Sequence, residues 1–516
     1  MERHHFYPTL LGTIVTNISN GVPSVSGPDA WMRAGDLAIT ESPQGLPGRY
    51  YPSVCPLNRR PLAGTPMFGG GGHLVLGGSP NPADPGSPGE NCTDPGFHSH
   101  WNQGTSVWQH FDPTQTAWDP RLMYPAGQLP PSGAIPVAYD RRDLNGTLVT
   151  NLTANPIQAL ETYPRAFQLA DRGAGTEQHI FVAYDVPAFA NQWILYNPLG
   201  AAWVVKPAFG TQGWELQEAP SGFERFYGNA LLFHTLLAKN RIVVIGGAKN
   251  ISTAPNPEDA PVWAMVQEVQ EYIIPFNGTT ASGSWQFKSN GPSRANANAV
   301  ILPTGQVLLL GGGAGVNACD AGPHSPAYAP VLYDIGGLPN TAGSTVAVMN
   351  PSNVNSQGQP VPRLYHSMAT LLEDGRVLHA AGETYPSPFG NSGETGEVFS
   401  PPYLFQGPRP TIASAPSEAT FNIAGGSNSI GVTINHSHPI DRIVLLRPAA
   451  VTHSFDIDQR YIELAFTIQS GSSGTHRSSV TLPTEDLGPP GWYMMFAVQN
   501  GPQGRVPSVA WWIHIT

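Results

Sequence analysis

The sequence predicts an all-β protein in two parts, a β-propeller over residues 1–408 and an immunoglobulin-like β-sandwich over 409–516. Three observations carry that expectation. The 516 residues include 57 glycines and 53 prolines, 40% are apolar, and only 12% are charged. Gly and Pro punctuate turns and spoil helices, so the chain reads as many short strands joined by tight turns, and its apolar content separates it from disordered chains. One strand-turn-strand grammar recurs six times, and after Phe405 it stops.

Each repeat opens on an Arg or an aromatic residue, runs through an apolar strand and a Gly-centred turn, and returns as a second apolar strand that often ends in Gly-Gly. The repeats run through His73 to Gly78, Met123 to Ala138, Tyr163 to Ala183, Arg225 to Gly247, Arg294 to Gly312 and Arg363 to Leu378. Spacings of roughly 40 to 70 residues are those of propeller blades, each burying its faces only against its neighbours. Phe111 to Trp118 and Tyr196 to Trp203 read as outer strands, their aromatic residues as packing. The propeller's N-terminal part reads as atypical or shortened. From about 409, short strands such as Arg442-Ile-Val-Leu-Leu446 and Trp492-Tyr-Met-Met-Phe-Ala-Val498 follow at the spacing of a sandwich.

A net charge of -11 without a Lys/Arg run excludes the electrostatic footprint that nucleic acid or an anionic membrane requires. No apolar run approaches the roughly 20 residues of a membrane span. Seven Asn-x-Ser/Thr sequons, at Asn17, Asn91, Asn145, Asn151, Asn250, Asn277 and Asn435, favour a secreted glycoprotein, expected as a monomer. The three cysteines, Cys55, Cys92 and Cys319, are an odd count, so at least one sulfur is left over from intramolecular pairing.

Chemistry concentrates in the last repeat. Arg363-Leu364-Tyr365-His366-Ser367 heads a hairpin whose turn is Asp374-Gly375, so two metal-ligand types stand at its mouth. Adjacent residues on a regular strand point to opposite faces, so Tyr365 and His366 must sit where the strand ends to serve one ion. His453, in Val451-Thr452-His453-Ser454-Phe455-Asp456, lies in a loop of the small domain from which it can reach the propeller. Two imidazoles with phenolate oxygens suit copper better than a structural zinc, which favours thiolate-rich closed sites.

Together with Phe399-Ser-Pro-Pro-Tyr-Leu404 and Pro489-Pro-Gly-Trp-Tyr-Met-Met-Phe496, these motifs resemble the galactose oxidase and glyoxal oxidase family of copper radical oxidases. The resemblance runs through about residues 60 to 516 and is most specific over 361 to 516. It implies a seven-bladed kelch-type propeller capped by an immunoglobulin-like early-set domain. It also implies one copper ion held by Tyr365 as axial ligand, His366, His453 and a further tyrosine, Tyr124 of Arg121-Leu-Met-Tyr124. In that family the further tyrosine is cross-linked through its ring to a cysteine sulfur and holds a radical. Copper and radical together oxidise the substrate by two electrons, Tyr365 acts as base, and oxygen leaves as hydrogen peroxide. The short approach to the propeller leaves no room for the sugar-binding sandwich of galactose oxidase, which favours small aldehydes or primary alcohols as substrates.

The cysteine departs from the pattern. Where the family places it, after a Phe, this chain reads Met67-Phe68-Gly69-Gly70. Two sulfurs remain as alternatives for the thioether. Cys55 can share the blade if Asn58 to Gly72 is an enlarged turn, and is preferred; Cys92 lies in a Pro/Gly-rich stretch. The rival reading is a propeller that keeps the fold and has lost catalysis, acting as a glycan- or protein-binding module.

Overall fold

The computed structural model describes most of residues 225–516, leaving out 226, 251–262, 274–283, 315–324, 337–341, 350–360, 384–394, 423–427, 473 and 485–486. Ahead of 225 it describes 18–19, 22–23, 49–50, 53–57, 72–76, 79–80, 109–112, 117–119, 165–169, 180–184, 201–205 and 214–217. The Met123 repeat with Tyr124, and also Gly69, Cys92 and Cys319, lie outside the described residues.

Among the described residues the structure is all-β, with a short 3-10 turn at Pro402–Phe405. Five antiparallel sheets follow one another. The first holds Ser53–Leu57, Gly72–Leu76, Gln109–Asp112 and Ala117–Asp119, and the second Arg165–Gln168, Ile180–Tyr184, Ala201–Val205 and Trp214–Gln217. The third holds Asn229–His234, Arg241–Ile245, Glu268–Ile273 and Ser284–Asn290. The fourth is built on Ala295–Ile301, Gln306–Ala314, Val331–Asp334 and Ser344–Val348, and the fifth on Tyr365–Leu371, Val377–Glu383 and Gly396–Phe399. Each strand pairs with the one laid down before it. The expected seven blades are a count over the whole chain, of which these five sheets lie within the described residues.

The first strands of the sheets are the innermost ones. Ser53–Leu57 lies against Arg165–Gln168, and Ala295–Ile301 lies between Asn229–His234 and Tyr365–Leu371. The repeated arginines have a structural task. The guanidinium of Arg225 donates to the carbonyl of Gly246 at 3.0 Å, that of Arg294 to Gly311 at 3.1 Å, and that of Arg363 to Ala381 at 2.7 Å. Each binds a carbonyl near the end of the second strand, beside a glycine of positive φ, giving it a charged donor.

From Thr411 onward two sheets face one another. One is ordered Thr411–Ser414, Ser429–Asn435, Thr475–Thr481, Phe466–Ser472, and the other is ordered Arg460–Leu464, Ile440–Leu446, Gly491–Gly501, Trp511–Ile515. The second is buried on both faces. Ile443, Leu445, Met495 and Ala497 pack into the core between these two sheets, while Val444, Leu446, Met494 and Phe496 join the core of the third, fourth and fifth sheets. Burial on both faces explains why 443–446 reads as a continuous apolar run rather than alternating. The two parts are also hydrogen-bonded as one sheet, since Asn229–His234 pairs in parallel with Arg460–Leu464 through Leu232 and Arg460, Phe233 and Tyr461, and His234 and Ile462.

Candidate metal centre

Two backbone irregularities build the site. In the fifth sheet Tyr365 pairs with Glu383 and Ser367 with Ala381. His366, between them, takes φ 62°, and Gly382 opposite takes φ 112°. A left-handed residue in a strand reverses the usual alternation of side chains. The rings of Tyr365 and His366 therefore meet, with centroids 4.0 Å apart.

The second irregularity is the segment between Leu446 and Arg460. It rises from the sandwich as a hairpin in which Val451–Thr452 pairs with Phe455–Asp456, leaving His453 and Ser454 as a two-residue turn with φ 49° and 67°. Positive φ at both central residues is the type I′ turn, whose geometry suits a right-twisted hairpin but strains residues other than Gly or Asn. Neighbouring strands hold that strain in place. Ser454 N–H donates to Ser367 O at 2.9 Å, and the Ser454 and Ser367 hydroxyls lie 3.0 Å apart, with the Asn298 amide donating to Ser367 Oγ at 2.8 Å. Lower down, Gln459 takes the N–H of Ile301 and donates to the carbonyl of Ala299, each at 2.8 Å.

The turn brings His453 to the strand head. Nε2 of His366 and Nε2 of His453 are 2.7 Å apart, and the Tyr365 ring lies 5.1 Å from that of His453. Nδ1 of His453 is 2.7 Å from Thr452 Oγ1. Burial first, and then the neighbouring His366, holds the His453 imidazole down at about 3, so at neutral pH it carries a lone pair rather than a charge. Nitrogens bonded to one ion at about 2.0–2.1 Å and at right angles would be about 2.9 Å apart, so the pair has the separation of adjacent ligands. Among the described residues no group of three or more His, Cys, Asp or Glu gathers that could hold an ion. The donors beside the imidazoles are phenols, and nitrogen with phenolate oxygen fits copper.

Phe455 completes the cluster. Its ring is stacked on that of Tyr227 at 5.9 Å, and the Arg165 guanidinium lies 3.7 Å above it. Tyr227 also meets the edge of Tyr365 at 5.7 Å. In the sequence Tyr227 belongs to a repeat, two residues after Arg225 as Tyr365 is two after Arg363.

Cys55 lies on the first strand of the first sheet. Its strand does pair with the His73 strand, Cys55 opposite Leu74, but the thiol is fully buried at the level of Gln168, whose backbone N–H bonds it, and in the field of Arg460 and Asp458. Gln168 is three residues along its strand from Arg165, roughly 10 Å at 3.3 Å per residue. Its recorded hydrogen bonds and charge interactions run to Pro56, Gln168, Arg460 and Asp458, none to Tyr365, His366 or His453.

Comparison with known proteins gives the family. Glyoxal oxidase N-terminus matches residues 229–403, and Galactose oxidase-like, Early set domain matches residues 409–515. Together they span more than half of the chain and all of the cluster. The chain belongs to the galactose oxidase and glyoxal oxidase family. Aldehyde oxidase GLOX1 of Arabidopsis thaliana is 28% identical over 335 residues, covering 58% of this chain and 49% of that protein. Aldehyde oxidase GLOX of Vitis pseudoreticulata is 31% identical over 288 residues, covering 53% and 50%. The chain thus spans about half the length of these relatives. A solved structure described as a novel fungal alcohol oxidase of the AA5 family, in complex with copper, is similar in fold, with a TM-score of 0.56 at 21% identity over 91% of this chain and 76% of that one.

Proposed function

We propose that this protein is a secreted copper-dependent oxidase that converts small aldehydes or primary alcohols with O2 and releases hydrogen peroxide. In this reading a seven-bladed propeller over 1–408 carries the site and an early-set domain over 409–516 caps it. The observation that carries the reading is the approach of two Nε2 atoms to 2.7 Å with the phenol of Tyr365 against both rings. Secretion rests on the seven sequons, of which Asn435 is exposed.

His366, His453 and Tyr365 would hold the ion. Copper, when bound there, supplies a one-electron acceptor beside the substrate. The residues do the rest. With Thr452 Oγ1, 2.7 Å away, accepting from Nδ1 of His453, Nε2 would be the nitrogen left to hold the ion. Tyr365 is 6% exposed, walled by Tyr227 and Phe455, so its oxygen is shielded from bulk water and placed to take the proton of a substrate hydroxyl. The Arg165 guanidinium over the Phe455 ring helps to hold the hairpin.

Cys55 is a buried thiol bonded by the N–H of Gln168, and Tyr124, its expected thioether partner, lies outside the described residues. That placement, with Gly69 where the family has cysteine, is the one observation that favours the rival reading of a metal-holding propeller without turnover. A peroxide-coupled assay of the Cu(II)-loaded protein across small aldehydes and primary alcohols decides between them. Turnover that is lost in Tyr365→Phe while copper stays bound supports the oxidase; bound copper with no peroxide from any substrate supports the binding module.

A further inference from the structure

A second pair of imidazoles meets at the opposite end of the capping domain. The strand Ile440–Leu446 joins the two places, since the His453 hairpin follows Leu446 and the turn 436–439 precedes Ile440. Its 7 residues at about 3.3 Å each hold them roughly 20 Å apart. His436 stands in that turn, directly after the strand Ser429–Asn435, and His476 lies near the start of the partner strand Thr475–Thr481. Ile434 pairs with His476 and Asn435 with Thr475, and the N–H of His436 continues the ladder to Gly474 O at 2.8 Å. His436 and His476 are therefore diagonal neighbours across the ladder, and their rings come to 4.5 Å between centroids.

The hydrogen bonds around the pair leave its outer nitrogens open. Nδ1 of His436 lies 3.0 Å from the carbonyl oxygen of His438. A carbonyl only accepts, so Nδ1 carries the proton and Nε2 the lone pair, which is the outer hydrogen bond of a metal-ligating histidine. The turn that supplies this carbonyl is itself tied down. Gln499, fully buried, takes the N–H groups of Ser437 and His438 on its amide oxygen at 3.1 and 3.4 Å and donates its amide to Pro408 O at 2.7 Å. His476 is 5% exposed, and the Nε2 atoms of both rings are buried with no hydrogen-bond partner among the described residues. Buried nitrogens left so are costly, and two of them on rings in contact mark a place for a shared cation.

We propose that His436 and His476 form a second metal site, which takes a borderline divalent cation such as Cu(II) on their two Nε2 atoms. Nitrogens on one ion at about 2.0–2.1 Å stand at most about 4.2 Å apart, a spacing that rings centred 4.5 Å apart can present. Two imidazoles suit Cu(II) above Ni(II) and Zn(II), and water completes the shell, because His436 is only half-buried and opens the pair to solvent. The ion would tie the 436–439 turn to the strand Thr475–Thr481. Binding is coordination alone, with no electron transferred.

The test is equilibrium dialysis of the full chain against Cu(II) near pH 7.5, where ordinary imidazoles are neutral. His436→Gln should take up about one ion fewer than the unaltered protein, as should His476→Gln and, at the other centre, His453→Ala; the variant with both His436→Gln and His453→Ala should take up about two fewer. His436→Gln keeps the Asn435-x-Ser437 sequon and replaces a half-buried ring, so it should fold even where the deeper His476→Gln does not. Uptake by His436→Gln equal to that of the unaltered protein overturns the second site, and leaves the copper centre standing if His453→Ala still loses one ion. A loss in His436→Gln but none in His453→Ala supports the second site and overturns the copper centre instead.

Discussion

Nε2 of His366 lies 2.7 Å from Nε2 of His453, although 87 residues separate them and one stands on a strand head while the other stands on a turn of the capping domain. The Thr452 hydroxyl lies 2.7 Å from Nδ1, the other nitrogen of His453, and a partner there helps to orient the ring. Thr452→Val keeps the β-branched shape and removes this partner. It should weaken Cu(II) binding by about 10- to 100-fold, as loss of outer hydrogen bonds to ligands does, and His453→Ala should weaken it further. Equilibrium dialysis checks both, and equal affinity in Thr452→Val would show that the ring is oriented by packing alone.

Gln459 joins the hairpin to the propeller through its side-chain amide, which satisfies both Ile301 N–H and Ala299 C=O at 2.8 Å. Gln459→Ala leaves two buried backbone groups without these bonds, at about 1–3 kcal/mol each. The expected loss is about 2–6 kcal/mol of stability, read from urea unfolding, together with weaker copper binding because His453 is less well held. A variant that unfolds at the unaltered midpoint would mean that water replaces the amide without cost.

Much of this was legible in residue order, and the rest was not, for physical reasons. Tyr365, His366 and His453 stood out because metal-ligand types occurred in motifs. The left-handed residues that aim them did not, because His366 and Ala381 take φ 62° and 57° where the sequence offers no glycine. Tyr227 was hidden by its context: without a neighbouring His it reads as packing, and only the folded backbone sets it beside Tyr365. The depth of Cys55 was equally hidden, since strand register fixes how far a residue lies from a strand head and residue spacing does not. The apolar run at 443–446 reads as a strand, but its two-sided burial needs the propeller beside it.

Cys55 should behave as an inert core thiol. Burial pushes it up to about 12, despite the opposing pull of Arg460, so the thiolate that reacts is nearly absent at pH 8. Iodoacetamide should leave it unmodified in the folded protein and label it after denaturation. Peptide mapping after copper loading under oxygen should show no Cys55 peptide joined to one containing Tyr124; such a peptide, lighter by two hydrogens, would restore Cys55 to the site.

His234 makes stability depend on mild acid. It is 1% exposed, its Nδ1 accepts the N–H of Asn240 at 3.2 Å, and burial first, then the charges of Arg460 and Lys239, hold it well below 6.5. The unfolded chain takes up a proton near pH 6.5 while the folded one stays neutral, so below that pH the unfolded state binds more protons and folding stability falls as pH falls. His379, lowered by burial in spite of Glu397, acts in the same direction. His234 and His379 should therefore draw the urea midpoint of the metal-free protein down between about pH 6.5 and 5, against Asp456, which burial raises to about 7 and which acts in the opposite direction. His234→Gln keeps an acceptor for Asn240 without a titrating group, so its decline should be shallower; an identical decline would mean that His234 takes its proton inside the folded protein, with the Asn240 bond broken and no cost to the fold.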